Sequence, residues 1–376
     1  MLRTLIAVMF GLVTNFNPCL ADEVFDNAES RVSQFAVVGA TVVGLGRATL
    51  VVREAFIDQI LTSELDEDLP IVQASEQFIL PAFIDSHVHF AYAFSAQQLA
   101  AGGIGAAVDL AAPLSFLNSD LNPMEVIFAG PMITAVGGYP TKSWGSDGYG
   151  LEISGVSEAR KAVEQLYAAG ARVIKMPLGD ATGAGALSMA KNPSMLTDEE
   201  LKAVVERAHS LGMRVATHAL NDRDVLRAAA ADVDVLAHTP TERLSDEAIA
   251  AWSDRAVIST LAAFAKLATP AENVRRLREG GATVLYGTDM GYTTFTGINP
   301  VEVELLAKAG LDNQAIIAAG TTVPAAYWGF GDGHGALSAG GKANFLLLDT
   351  DPLVDPSTLS RPLAVYINGR RVKSVP

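Results

Sequence analysis

The chain carries one cysteine, Cys19, in 376 residues. A single thiol can neither close an intrachain disulfide nor build a thiolate cluster, so a bound metal would need nitrogen and oxygen donors. Basic side chains are scarce too: 27 Lys and Arg stand against 42 Asp and Glu, a formal net charge of −15. So acidic a surface repels phosphate backbones and anionic headgroups, which makes nucleic acid and, for the mature form, membranes poor partners. Repeats and low-complexity tracts are missing. Only 18% of residues are charged while 49% are hydrophobic, which excludes a disordered chain and supplies a large core.

The N-terminus has the layout of a secretory signal over residues 1–21. Arg3 gives the positive region, Leu5 to Val13 an apolar stretch too short to span a bilayer, and Cys19-Leu20-Ala21 a cleavage site before Asp22. The mature chain is then expected outside the cytoplasm, periplasmic or secreted, without a thiol. A second apolar stretch, 35–52, contains Gly39, Gly44, Gly46 and Arg47 and reads as two strands with a turn.

From Leu80 onward short apolar runs alternate with charged helical segments. Strands are expected at 83–89, 105–110, 126–134, 173–178, 215–220, 235–239, 257–261 and 284–289, with helices at 157–170, 198–212, 245–254 and 270–281. Eight strands of this kind predict an α/β fold, a (β/α)₈ TIM barrel over 80–334. Residues 22–79 and 335–376 are β-rich without helical period. They are expected to meet in one small β-sandwich, since each alone would leave open edges.

Residues at the C-terminal strand ends of such a barrel converge on its mouth. His87 and His89 end the first strand, and their i, i+2 spacing places both on one face. Lys175 lies at the end of the fourth, His218 of the fifth, His238 of the sixth and Asp289 of the eighth. One histidine at a strand end is usually a core or supporting group. Four of the six histidines, with a Lys and an Asp at separate strand ends, point instead to a joint metal site. His209, near a helix C-terminus, and His334, between glycines in a loop, fit ordinary structural roles.

The run Pro81-Ala82-Phe83-Ile84-Asp85-Ser86-His87-Val88-His89 resembles the first-strand signature of the amidohydrolase superfamily. The tail from Gly335 to Asp349 resembles that superfamily's return into its β-sandwich, except that Asn344 stands where Asp is usual. The resemblance covers nearly all of the mature chain. It implies two divalent metal ions, zinc given imidazole and oxygen donors. His87, His89 and Asp289 would hold the more buried ion and His218 with His238 the more exposed one. Lys175 would bridge them as a CO₂-derived carbamate (N6-carboxylysine), because a free ammonium would repel two dications. A water shared by the metals would attack an amide or lactam C–N bond, with Asp289 carrying the proton.

Within the superfamily the chain is similar to the imidazolonepropionase-like branch, which includes prolidase-type dipeptidases and ochratoxin-hydrolysing enzymes. The expected partner is a small-molecule substrate, an amide, dipeptide, N-acyl amino acid or lactam. Aromatic residues crowd the mouth loops: Phe90, Tyr92 and Phe94; Tyr139, Trp144 and Tyr149; Tyr292 and Phe295. Tyr92, Tyr139, Trp144 and Tyr292 are the candidate substrate contacts and favour an apolar or aromatic group, although rings packing long loops would look the same. Lys142 and Lys191 are cationic candidates of no more weight than solvated lysines. A deaminase would want Glu just after His218, where Ala219, Leu220 and Asn221 stand. A lactonase, esterase or phosphotriesterase would use the same six ligands. A non-catalytic metal-binding protein would not need Asp289 as a proton carrier. Homo-oligomerisation is compatible with everything above.

Overall fold

The computed structural model describes residues 34–92, 95–179, 194–331 and 333–374. The expected signal segment, Phe94 and Lys191 lie outside the described residues.

Both ends of the chain contribute to one six-stranded sheet. Its order is Arg370–Ser374, Ala364–Ile367, Phe345–Leu348, Phe78–Pro81, Thr41–Val42, Gly46–Arg47. A four-stranded sheet follows the order Phe56–Leu61, Thr49–Arg53, Gln34–Val38, Ile71–Gln73. The stretch 35–52 was expected to hold two strands and holds four short ones, because glycines at positive φ (Gly39, Gly44, Gly46) break the extended runs. Phe35, Val37, Leu50 and Ile57 share one apolar cluster with Ile79, Phe345, Leu347 and Tyr366.

Phe345–Leu348 explains how this part joins the rest. Successive strand side chains face opposite ways. Phe345 and Leu347 enter the terminal cluster, whereas Leu346 and Leu348 enter the main core. Two buried faces are why the segment is apolar at every position rather than at alternate ones. Phe78–Pro81, its antiparallel neighbour, does the same with Ile79 and Leu80, and runs across the expected boundary at 79/80.

The remaining strands are parallel and separated by helices, an α/β fold of TIM-barrel type. Phe83–Val88 pairs with Ile104–Asp109, which pairs with Glu125–Phe128. Val173–Pro177, Arg214–His218, Val235–Leu236, Ala256–Ile258 and Thr283–Leu285 pair in that order. Hydrogen bonds from Ser86 N to Tyr286 O (2.9 Å) and Asp289 N to His87 O (2.9 Å) join the eighth strand's segment to the first. The expected strand 126–134 is two pieces, Glu125–Phe128 and Met132–Ala135. Gly130 at φ +71° and Pro131, which lacks an N–H, interrupt it. The second piece pairs with Gly150–Ile153. The expected strand 257–261 stops at Ile258, since Thr260 takes a left-handed φ of +39° and opens the 3₁₀ turn Leu261–Phe264.

The four expected helices are present as Val156–Ala168, Asp198–Ser210, Asp246–Ala251 and Thr269–Glu279. Asp198–Ser210 opens on a capping box in which the Thr197 hydroxyl and the Glu200 carboxylate satisfy each other's backbone N–H. Helices Ala96–Ala101, Asp222–Ala230, Pro300–Lys308, Asn313–Gly320 and Thr322–Trp328 add to them. No described helix is long and apolar enough to cross a membrane.

Candidate metal centre and active site

His87, His89, Lys175, His218, His238 and Asp289 line one pocket with Tyr92, Met132, Tyr139, Trp144, Phe264, Gly291 and Tyr292. All six residues read from the strand ends meet, although up to 202 positions separate them in sequence. His87 and His218 lie in the last residues of their parallel strands, and His89, His238 and Asp289 just beyond theirs. Lys175, expected at a strand end, is instead the middle residue of Val173–Pro177, all of whose side chains are buried.

The imidazole tautomers follow from backbone contacts. His87 Nδ1 is 2.7 Å from the Ala237 carbonyl oxygen and His89 Nδ1 is 3.4 Å from that of Ala111. A carbonyl only accepts, so each Nδ1 carries the hydrogen and each Nε2 presents a lone pair. These two Nε2 atoms lie 3.2 Å apart, and Asp289 Oδ1 lies 3.5 Å and 3.1 Å from them. His238 adds Nδ1 at 3.9 Å from Asp289 Oδ2. Burial, then the nearby Lys175 charge, holds His87 well below the usual imidazole pKa, and burial and His87 do the same to His238. Burial works to raise the Asp289 carboxyl, but the imidazoles of His87, His238 and His89 override it and keep its pKa well below the usual carboxylate range. Acceptors converge here with no hydrogen to share, which is an electrostatic call for a cation. Ligand atoms of His87, His238 and Asp289 lie within 4.8 Å of one another, a group that could hold a metal.

Lys175 is fully buried, and its Nζ has no hydrogen-bond partner among the described residues. Burial pushes its pKa down to about 7, against the pull of Asp289. An ammonium left without a partner is costly to bury, whereas a neutral amine is a nucleophile.

Three buried features brace these groups and were not read from the sequence. Asp85 accepts hydrogen bonds from His87 N and Thr288 N through Oδ1 and from the Thr288 hydroxyl through Oδ2, and burial raises its pKa to about 7. Asp109 accepts from Phe90 N and Ala111 N, and burial lifts it to about 6. Asp289 itself has φ +54°, a conformation that costs a non-glycine residue roughly 1–3 kcal/mol. It is held by N–H donation to His87 O and by acceptance from Tyr292 N and Thr293 N. Asp85 could have been singled out, because it shares the i, i+2 face of His87.

The aromatic expectation needs correcting in part. Tyr92, Tyr139, Trp144 and Tyr292 line the pocket, and Met132 and Phe264 join them. Phe90 belongs to the main core, because its backbone N–H is drawn inward by Asp109. Tyr149 packs behind Tyr92 and Trp144, with ring centroids 5.4 and 5.3 Å away. Phe295 is exposed, and Lys142 does not line the pocket. His209 bonds Asp234 (2.9 Å) and buried His334 bonds Glu125 (3.0 Å), both away from the site.

A buried His-His-Asp group at the strand ends of a TIM-barrel-type fold defines a class, the metal-dependent hydrolases. The sequence pattern of the amidohydrolase family matches residues 78–372, and the chain belongs to that family, whose members hydrolyse C–N bonds with divalent metal. No curated protein matches the sequence. The structure is similar to that of a Xaa-Pro dipeptidase with bound methionine (TM-score 0.77, 22% identity, 90% of this chain and 99% of that one). It is also similar to a putative prolidase from Bifidobacterium longum (0.75, 23%, 90% and 94%). A third likeness is to A. niger ochratoxinase (0.73, 17%, 92% and 96%).

Proposed function

We propose that the protein is a binuclear amidohydrolase that cleaves the C–N bond of an amide, dipeptide, N-acyl amino acid or lactam carrying an apolar or aromatic group. The observation that carries this reading is the meeting of acceptor-only ring nitrogens and a carboxylate beside the unpartnered, buried Lys175 amine. These residues suit metal ions. His87, His89 and Asp289 would hold one and His218 and His238 the other, zinc in both cases, with Lys175 carboxylated by CO₂ as the anionic bridge. Bound there, divalent cations would acidify a water and polarise a carbonyl.

The chain's own residues do the rest. Asp289, ionised and fixed by three backbone hydrogen bonds, takes a proton from the attacking water and returns it to the nitrogen as the C–N bond breaks. Lys175 and the His87–His89 pair are shielded from bulk water by burial, which strengthens each electrostatic contact. Tyr92, Tyr139, Trp144 and Tyr292 would stack on the substrate's apolar part.

In this reading the parallel ladders close into a (β/α)₈ barrel over 80–334, and the terminal sheets pack as a sandwich from 22–79 and 335–376. Residues 1–21 are a cleaved signal, and the enzyme works outside the cytoplasm. The test is turnover by protein purified without chelators, screened on dipeptides, N-acyl amino acids, lactams and lactones. Amide or lactam cleavage that a chelator abolishes and zinc with bicarbonate restores is expected. Cleavage of lactones alone by fully metallated protein would refute the C–N assignment.

A further inference from the structure

Tyr139 packs against both Trp144 and the candidate ligand His218. Its ring centroid is 5.9 Å from that of Trp144 and 5.4 Å from that of His218, and all three side chains line the pocket. The Trp144 indole Nε1–H donates to the Tyr139 hydroxyl at 2.8 Å. An indole N–H can only donate, so the phenol accepts in this bond and its own proton is directed elsewhere. That proton has no acceptor among the described residues.

The backbone leading to Tyr139 is closely fitted. A Cβ on Gly138 would lie 2.8 Å from the Ser194 carbonyl oxygen and 2.9 Å from that of Ala135, so only glycine lets the chain pass there. The N–H of Gly137 is tied to Glu152 Oε1 at 2.8 Å. A phenol keeps its proton at neutral pH without help from its surroundings. A protonated, pre-aimed hydroxyl beside a metal centre is poorly explained as wall packing, which a phenyl ring would do as well.

We infer that Tyr139 is a catalytic residue whose hydroxyl donates a hydrogen bond to the scissile carbonyl oxygen as it becomes an oxyanion, and that Trp144 is the positioning residue that aims it. The bond strengthens as negative charge develops, so it favours the tetrahedral species over the planar amide. No proton is transferred. This assignment rests on the C–N hydrolase reading.

The test uses the metal-loaded full chain with two probes that share one aromatic arm, benzylphosphonate (tetrahedral, anionic) and phenylacetamide (planar, neutral). Tyr139→Phe should weaken benzylphosphonate binding by about tenfold or more while phenylacetamide affinity stays within about twofold. On an amide that the wild type turns over, kcat should fall by about 10²-fold with KM little changed. Trp144→Phe keeps a ring but loses the N–H, so it should narrow the gap between the two probes less than Tyr139→Phe does. It should not change that gap further in the Tyr139→Phe background, while any loss of stacking falls on both probes alike. Bound-metal content reports whether the centre survives each change.

Equal benzylphosphonate affinity in wild type and Tyr139→Phe, or equal loss of both probes, overturns the inference, as does a wild type that binds no phosphonate. Additive effects of the two substitutions on the gap between the probes overturn the role of Trp144. A wild type that cleaves no amide yet shows the expected split between probes refutes C–N hydrolysis and leaves the oxyanion donor standing.

Discussion

Asp85 grips Thr288 twice, accepting its backbone N–H at 3.1 Å and its hydroxyl at 2.6 Å, and so fixes the first strand against the eighth. His87 follows Asp85 by two residues and Asp289 follows Thr288 by one, so this clasp sets the spacing of two candidate ligands. Asp85→Ala removes the acceptor of all three of its hydrogen bonds, from His87 N, Thr288 N and the Thr288 hydroxyl. We expect metal affinity to fall by about 10–100-fold, as when supporting groups of metal ligands are lost. Elemental analysis after dialysis at graded free zinc would measure it; unchanged zinc retention would remove Asp85 from the site's support.

Lys175→Ala should abolish tight binding of the second metal and most turnover, since Asp289, the one other anionic side chain lining the pocket among the described residues, is already assigned as a ligand. Wild-type protein should hold close to two metals per chain. Propionate at high concentration should restore part of both properties, and Lys175→Arg should not respond, because a guanidinium cannot take up CO₂. Two metals and normal turnover in the Ala variant without added carboxylate would refute the carbamate.

Asp289→Asn should lower kcat by about 10²-fold or more, in the range of general acid–base contributions. An amide oxygen can still face a metal, so metal content should fall less than activity. The +54° φ adds no new strain in this variant, because Asn tolerates this region as well as Asp does. Thermal stability should therefore change little, which calorimetry on both proteins would check.

Glu302 gives a pH signature of its own. It is buried beneath the Leu261–Phe264 turn, where it accepts the Leu261 and Ala262 N–H groups. Burial raises its pKa from 4.5 to about 7. A carboxyl raised in the native state stabilises fully below its unfolded pKa, and that contribution fades as pH climbs toward 7, a change of about 3 kcal/mol. Glu302→Gln cannot ionise but sets an amide N–H₂ against a backbone donor. Its Tm deficit relative to wild type should be largest near pH 5 and shrink by pH 7.5. A deficit that grows with pH would contradict the assignment.

For localisation, the Ala21–Asp22 junction predicts that exported protein begins at Asp22 or within a few residues of it. N-terminal sequencing of periplasmic or medium fractions would show this, and an intact Met1 there would refute cleavage.

The site was legible because a strand reports its face at every second residue. His87 and His89 announce one inward row, and Lys175, His218, His238 and Asp289 each interrupt an apolar run that has no other reason to be polar. The braces were less legible. Asp85 sits in the same row, but nothing local reveals that its partner is Thr288, 203 residues away. Phe90 looked like its neighbour Tyr92, and only the backbone bond to Asp109 turns it inward. The break at Gly130-Pro131 was written in the sequence, yet the apolar residues on both sides outweighed it. Helix Asp222–Ala230, amphipathic and capped by Asn221, is short enough to pass for a loop between strands.

The six-stranded terminal sheet also dictates an order of events during synthesis. Phe345–Leu348 pairs with Phe78–Pro81 on one side and Ala364–Ile367 on the other. The strand that leads into His87 and His89 pairs early with Thr41–Val42 on one edge but waits for its second partner, made more than 260 residues later, on the other. A nascent chain on the ribosome can form its helices, but that edge of Phe78–Pro81 stays unpaired until translation is nearly over. Such a chain depends on a holdase more than a protein whose early strands pair with one another on both edges, and a premature stop codon shortly before Phe345 would strand the metal-binding half beside an unfinished edge.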